Sequence, residues 1–164
     1  DVYKRQLRLD NHNGPLICVG PGTGVAPMRA MIRERASIDD DKKSSDVSLY
    51  FGCRHRDKDF LYESEWNARL ENKTLSELIT AFSRDQSSKI YVQTRLAKNG
   101  KKIWDCMNAP NGTIVIAGNS KMASDVRLAL INIVKEQAKC SEKDATRLVK
   151  VLEQRRRIQT EAWS

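Results

Sequence analysis

The sequence predicts an α/β fold, an open parallel sheet flanked by helices, and three observations carry that expectation. Short apolar runs at 16–19, 47–51 and 114–117 alternate with stretches of helical periodicity, the pattern of βαβ units. The first run opens directly into a glycine-rich turn, Gly20-Pro21-Gly22-Thr23-Gly24. The length, 164 residues with 40% hydrophobic, is that of one domain able to bury a core.

Pro15-Leu16-Ile17-Cys18-Val19 is a continuous apolar run of strand length and reads as a buried strand. Met28, Met31, Ile32 and Ala36 then recur at helical spacing, and Pro27 suits the first turn, where its missing N–H costs nothing. The polar stretch 39–46 reads as a surface loop. Val47-Ser48-Leu49-Tyr50-Phe51 is the second strand and runs into Gly52-Cys53-Arg54. Residues 75–82 and 90–92 add two strand-like stretches of ambiguous period. After the third run, Asn119-Ser120 offers a helix cap, and Met122, Val126, Ala129, Leu130, Ile133 and Val134 follow on one helical face. A second helix is expected over 142–153. Ligands of open α/β sheets bind beyond the carboxyl ends of the strands, so residues 20–24, 52–54, 83–84 and 118–119 should converge on one crevice.

Composition narrows the function classes. A charged fraction of 30% describes a globular chain, and no apolar run reaches membrane-spanning length or forms a signal peptide. Cys18, Cys53, Cys106 and Cys140 form no C-x-x-C pair, which favours free thiols in a reducing compartment; with His12 and His55 as the histidines, no metal site is expected. Net charge +8 admits nucleic acid, an anionic cofactor or an acidic protein as partner. The runs Lys101-Lys102 and Arg155-Arg156-Arg157 have few interleaved aromatics and read as solvated helix faces. Residues 1–6, Asp1-Val2-Tyr3-Lys4-Arg5-Gln6, look foreign, resembling a translated library adapter, and are set aside from fold reasoning.

The glycine turn between a strand and a helix is where anions bind, because free backbone N–H groups and the helix dipole point at the same spot. Its other reading is a tight turn with no ligand. The spacing departs from G-x-G-x-x-G, since Val25 stands in the third place, and no Asp or Glu closes the next strand to hold a ribose hydroxyl. An ordinary NAD site is disfavoured. Ser83 and Arg84 lie at a strand end with Lys89 five residues on, a hydroxyl, a guanidinium and an ammonium suited to a phosphate monoester. Tyr91 could stack on a purine, or these could be surface charges and a packing tyrosine. Together with the missing acid they favour a 2′-phosphorylated dinucleotide.

Gly20–Pro27, Phe51-Gly52-Cys53-Arg54, Asp59-Phe60-Leu61-Tyr62, Phe82-Ser83-Arg84, Lys89-Ile90-Tyr91-Val92-Gln93 and Trp163-Ser164 resemble the NADPH-binding domain of the diflavin reductases. That family has the ferredoxin–NADP reductase fold, and the resemblance runs from about residue 15 to the end. It implies that 7–164 is the NADP(H)-binding domain of a longer flavoprotein whose FMN and FAD domains lie elsewhere in the same polypeptide. Ala117-Gly118-Asn119-Ser120-Lys121-Met122, with the ending 156–163, resembles the cytoplasmic branch that passes electrons to an anamorsin-like iron–sulfur protein.

The resemblance also implies roles. NADPH would give a hydride to FAD, and electrons would then pass through FMN. Gly22, Thr23 and Gly24 would cradle the pyrophosphate with help from Arg54. Ser83, Arg84, Lys89, Tyr91 and Gln93 would hold the 2′-phosphate, with Gly118 and Asn119 also at the cofactor. Trp163 would gate the flavin face, and Glu161 would replace a family Asp with a longer arm. Ala117 stands where the haemoprotein reductases of this family carry a cysteine that is given a role beside the nicotinamide, a departure from that pattern. No nucleic acid and no membrane partner is implied. The rival readings are a single-flavin reductase of the same fold and a basic nucleic-acid-binding module.

Overall fold

The computed structural model describes residues 7–10, 13–38 and 46–164; segment 1–6 and residues 39–45 of the expected surface loop lie outside the described residues. Among the described residues five strands, β1 Leu16–Val19, β2 Val47–Cys53, β3 Glu77–Phe82, β4 Thr113–Asn119 and β5 Ile158–Trp163, form one sheet. The helices are α1 Val25–Ser37, α2 Arg56–Asp59, α3 Glu63–Glu71, α4 Val92–Lys98, α5 Gly100–Asn108, α6 Ser120–Ala138 and α7 Glu142–Gln154. Every strand pair is parallel and the order is β3-β2-β1-β4-β5. The chain steps outward from β1 and then crosses back to β4, so the reversal point lies between β1 and β4.

Strand alternation sorts the apolar residues into two cores, one on each face of the sheet. Leu16, Cys18, Leu49, Phe51, Val115 and Ala117 face α1 and α3, packing on Met28, Ile32 and Trp66. Ile17, Val19, Tyr50, Ile114 and Ile116 face the opposite layer and meet Leu96, Ile103, Val126, Leu130 and Val149. Because both faces are covered, β1 and β4 carry continuous apolar runs, which is why they were legible as strands.

The expected helices over 122–134 and 142–153 are present, and the expected cap is made: the Met122 N–H donates to Asn119 Oδ1 at 2.8 Å. Residues 90–92 are not a strand. Val92 begins α4, and Val92 and Leu96 bury one helical face four residues apart, so alternation of Ile90 and Val92 imitated a strand over too short a window. The stretch 75–82 contains β3, but the strand starts at Glu77; Leu75 is buried in the turn before it. β5, not anticipated, lies at the sheet edge and carries three consecutive polar residues, Gln159-Thr160-Glu161, so it shows neither a continuous apolar run nor a clean alternation.

The basic runs are not simply solvated. Arg157 donates to the carbonyls of Gly112 (2.8 Å), Met107 (2.8 Å) and Ala109 (2.7 Å), closing the carboxyl end of α5, where a cation opposes the helix dipole. Arg156 pairs with Asp10 at 2.9 Å, and Lys102 pairs with Glu77. Segment 7–10 is tied to β5 by the buried Gln159 side chain, which accepts from Arg8 N–H at 3.1 Å and donates to Arg8 C=O at 2.9 Å.

Candidate functional site

A cleft of about 700 Å³ opens at the carboxyl ends of the strands. All five strands reach it: Pro21–Thr23 follow β1, Gly52 and Cys53 end β2 with Arg54 just after, Ser83 follows β3, Asn119 ends β4 and Trp163 ends β5. The four segments expected to converge do so, and β5 adds a fifth. Tyr91 and Gln93, at the start of α4, complete one wall.

The glycine turn divides into two kinds of position. Gly22 has φ +57°, and a Cβ there would meet no atom within 4 Å, so the backbone is open to a ligand. Gly24 is buried, and a Cβ there would fall 2.0 Å from the carbonyl oxygen of Ala117, so its hydrogen lets the turn lie directly on β4. A short 3-10 turn, Gly22–Gly24, then leads into the amino end of α1. The residues therefore fit a pyrophosphate: an open glycine backbone stands at the start of a 13-residue helix.

The charges around the cleft are unevenly satisfied. Lys121 pairs with Asp125 at 3.0 Å, and Arg29, beyond the lining, pairs with Glu65 at 2.5 Å. Among the described residues no carboxylate pairs with Arg54, Lys58, Arg84 or Lys89. Arg54 and Lys58 line the cleft, while Arg84 and Lys89 stand exposed on the 83–91 connection between β3 and α4. Gln93 presents a buried Oε1 without a hydrogen-bond partner, which a ligand donor or water would satisfy. Tyr91 is 45% exposed, leaving its ring free to stack.

Of the sequence-predicted residues, Gly22, Thr23, Arg54, Ser83, Tyr91, Gln93, Asn119 and Trp163 line the cleft. Gly24, Arg84, Lys89, Gly118 and Glu161 lie outside the lining; Gly24 and Gly118 are buried behind it, and Glu161 is exposed on β5 opposite Ala117. Trp163 pairs in register with Asn119 and accepts a hydrogen bond from Ser120 Oγ through its carbonyl at 3.2 Å. Lys58, Lys121, Met122 and Asp125 also line the cleft, and their residue types alone do not mark them as site residues. Recognising that α6 starts at the strand end would have found three of them, because its first turns face the crevice.

Cys53, half-buried in the cleft wall, has its thiol pushed up to about 11 by burial and by the carboxylates of Asp59 and Asp85. It is therefore a neutral thiol at physiological pH rather than a nucleophile. Among the described residues no cluster of His, Cys, Asp or Glu could hold a metal ion, and no helix is long and apolar enough to cross a membrane.

A doubly wound parallel sheet whose carboxyl-end cleft joins a glycine turn to unpaired cations defines a dinucleotide-binding domain. The family model described as oxidoreductase NAD-binding domain matches residues 18–128, and the chain belongs to that family, in the form carried by the diflavin reductases. It is 41% identical over 166 residues to NADPH–cytochrome P450 reductase of Musca domestica, covering 99% of this chain and 25% of that protein. It is 42% identical over 151 residues to NADPH-dependent diflavin oxidoreductase 1 of Mus musculus, covering 92% of this chain and 24% of that protein. To the protein of that name from Schizosaccharomyces pombe it is 43% identical over 165 residues, covering 99% and 27%. The chain thus spans about a quarter of the length of the curated relatives it matches.

Proposed function

We propose that this domain binds NADPH and presents its nicotinamide to an FAD held by another domain of the same polypeptide. The observation that supports the reading best is the meeting, in one cleft, of an open glycine turn with Arg54 and Lys58, cations that no carboxylate pairs with among the described residues. Gly22 and Thr23 would hold the pyrophosphate at the amino end of α1, Gly24 would fix the turn against β4, and Arg54 would assist. Ser83, Arg84 and Lys89 would grip the adenosine 2′-phosphate, with Tyr91 under the base and Gln93 beside it. Gly118 and Asn119 would form the floor towards the nicotinamide.

Bound NADPH supplies a hydride, and the FAD and FMN of the longer flavoprotein supply its acceptance and the release of single electrons. This chain's own residues bind, orient and exclude water. Trp163, half-buried at the end of β5, would cover the flavin until the nicotinamide displaces it, with Glu161 on the same strand face as the neighbouring carboxylate.

Retention of the chain on a 2′,5′-ADP resin, with elution by NADP⁺ and not by NAD⁺, is the expected result. Passage through the resin, together with binding to nucleic acid that weakens with salt, overturns the reading in favour of a basic binding module. Identity to the two groups of relatives differs by only one percentage point, 41% against 42%, so assignment to the cytoplasmic branch with an anamorsin-like iron–sulfur acceptor rests on Ala117–Met122 and the ending. An anamorsin-like protein that stays oxidised with the NADPH-fed flavoprotein overturns that part alone.

A further inference from the structure

The two connections that carry the unpaired cations are joined by a side-chain bridge that the binding roles above do not use. His55 follows Arg54 at the end of β2, and Asp85 follows Arg84 beyond β3. His55 Nδ1 and Asp85 Oδ1 lie 3.1 Å apart, and the Arg56 N–H donates to Asp85 Oδ2 at 3.1 Å. The Ser83 and Arg84 N–H groups donate to the carbonyls of Cys53 and Arg54, each at 2.9 Å, which carries backbone hydrogen bonding from the end of the β2–β3 pair into the two connections. On the other side, the His55 N–H donates to Asp59 Oδ2 at 3.1 Å, and the Cys53 thiol donates to His55 C=O at 3.5 Å. Gln86 completes the frame by donating to the carbonyls of Phe82 (2.6 Å) and Ser88 (2.8 Å).

Resting on the dinucleotide reading, we infer that His55 and Asp85 are positioning residues that clasp the Arg54 connection to the Ser83–Arg84 connection and set the grip on a 2′-phosphate. Each clasp residue neighbours a cation in sequence, His55 beside Arg54 and Asp85 beside Arg84. Fixing the clasp fixes where both guanidinium stems start. Asp85 is held below the usual carboxylate range by the Arg56 backbone N–H and by His55, so it acts as an acceptor, and the bridge forms with the His55 tautomer that presents an Nδ1–H. Exposed cations on long stems lose side-chain entropy when they bind, and anchored backbones reduce the ordering that remains. The clasp does not touch the glycine turn, so it bears on the phosphate-specific part of affinity rather than on dinucleotide binding as a whole.

The test compares dissociation constants for NADP⁺ and NAD⁺, which differ only in the 2′-phosphate, in His55→Ala and His55→Asn chains. An asparagine amide can place a donor where Nδ1 stands. His55→Ala is expected to weaken NADP⁺ by about five- to tenfold, the size of one lost hydrogen bond, with NAD⁺ moving less than about twofold. His55→Asn is expected to recover most of the loss at an unchanged melting temperature. Unchanged NADP⁺ affinity in His55→Ala, equal losses for both dinucleotides, or no recovery in His55→Asn each overturns the clasp while leaving the dinucleotide reading intact. A wild-type chain that binds neither dinucleotide overturns the reading and the clasp with it.

Discussion

We expect Arg84→Ala to raise the KM for NADPH by about 10- to 100-fold in the flavoprotein carrying this domain, and to leave the KM for NADH within about twofold. A charge-assisted hydrogen bond to phosphate contributes about 1.5–3 kcal/mol, and each 1.4 kcal/mol is about tenfold in affinity. Arg84 has no carboxylate partner among the described residues, so its removal leaves no buried charge behind and the loss falls on the ligand. Because NADH lacks the 2′-phosphate, equal rises for both donors would move Arg84 out of the phosphate site. The same assay reads the other end of the cleft. Trp163→Ala should improve use of NADH by freeing the flavin face, and Glu161→Gln should lower kcat with little change in KM. Unchanged donor preference and flavin spectrum in Trp163→Ala would remove the gate.

Gly24→Ala should lower stability by about 3 kcal/mol, at the upper end of what overpacking costs, and the melting temperature by roughly 10 °C for a chain of this size. The new methyl would sit 2.0 Å from the Ala117 carbonyl oxygen and 2.8 Å from its carbon, backbone atoms of a strand paired on both sides that cannot turn aside. Gly22→Ala is the control. Its methyl would enter open space, so its cost is that of a left-handed alanine, about 1 kcal/mol, but it would stand where a pyrophosphate approaches. Thermal melting alongside 2′,5′-ADP binding should therefore separate the pair. Gly24→Ala loses mainly stability and Gly22→Ala mainly affinity; the reverse pattern would show that the roles of the two glycines are exchanged.

The parts of the fold legible in the sequence are those where burial is two-sided or continuous. β1 and β4 are covered on both faces and read as plain apolar runs, and α6 shows its buried stripe together with its Asn119 cap. The short helices α2 to α5 and the edge strand β5 were not legible, because each has one face in solvent over a few residues and the period cannot declare itself in so short a window. The same limit made 90–92 resemble a strand. Among site residues, Gly22, Thr23, Arg54 and Ser83 could be named from their place just after a strand, whereas Lys58, Lys121 and Asp125 required knowing which helix turns face the crevice.

The parallel α/β architecture, the strand ends that form the site and the resemblance to a reductase family are all written in the linear chain. These depend on local pattern, apolar period and turn chemistry, which neighbouring residues specify among themselves. That Gly24 serves strand packing while Gly22 faces open space, that β5 brings Trp163 into register with Asn119, and that His55 reaches Asp85 emerge once the chain is folded. Those facts depend on pairs of residues 30 to 93 positions apart meeting across a sheet whose strand order is not the chain order, information that no local window contains.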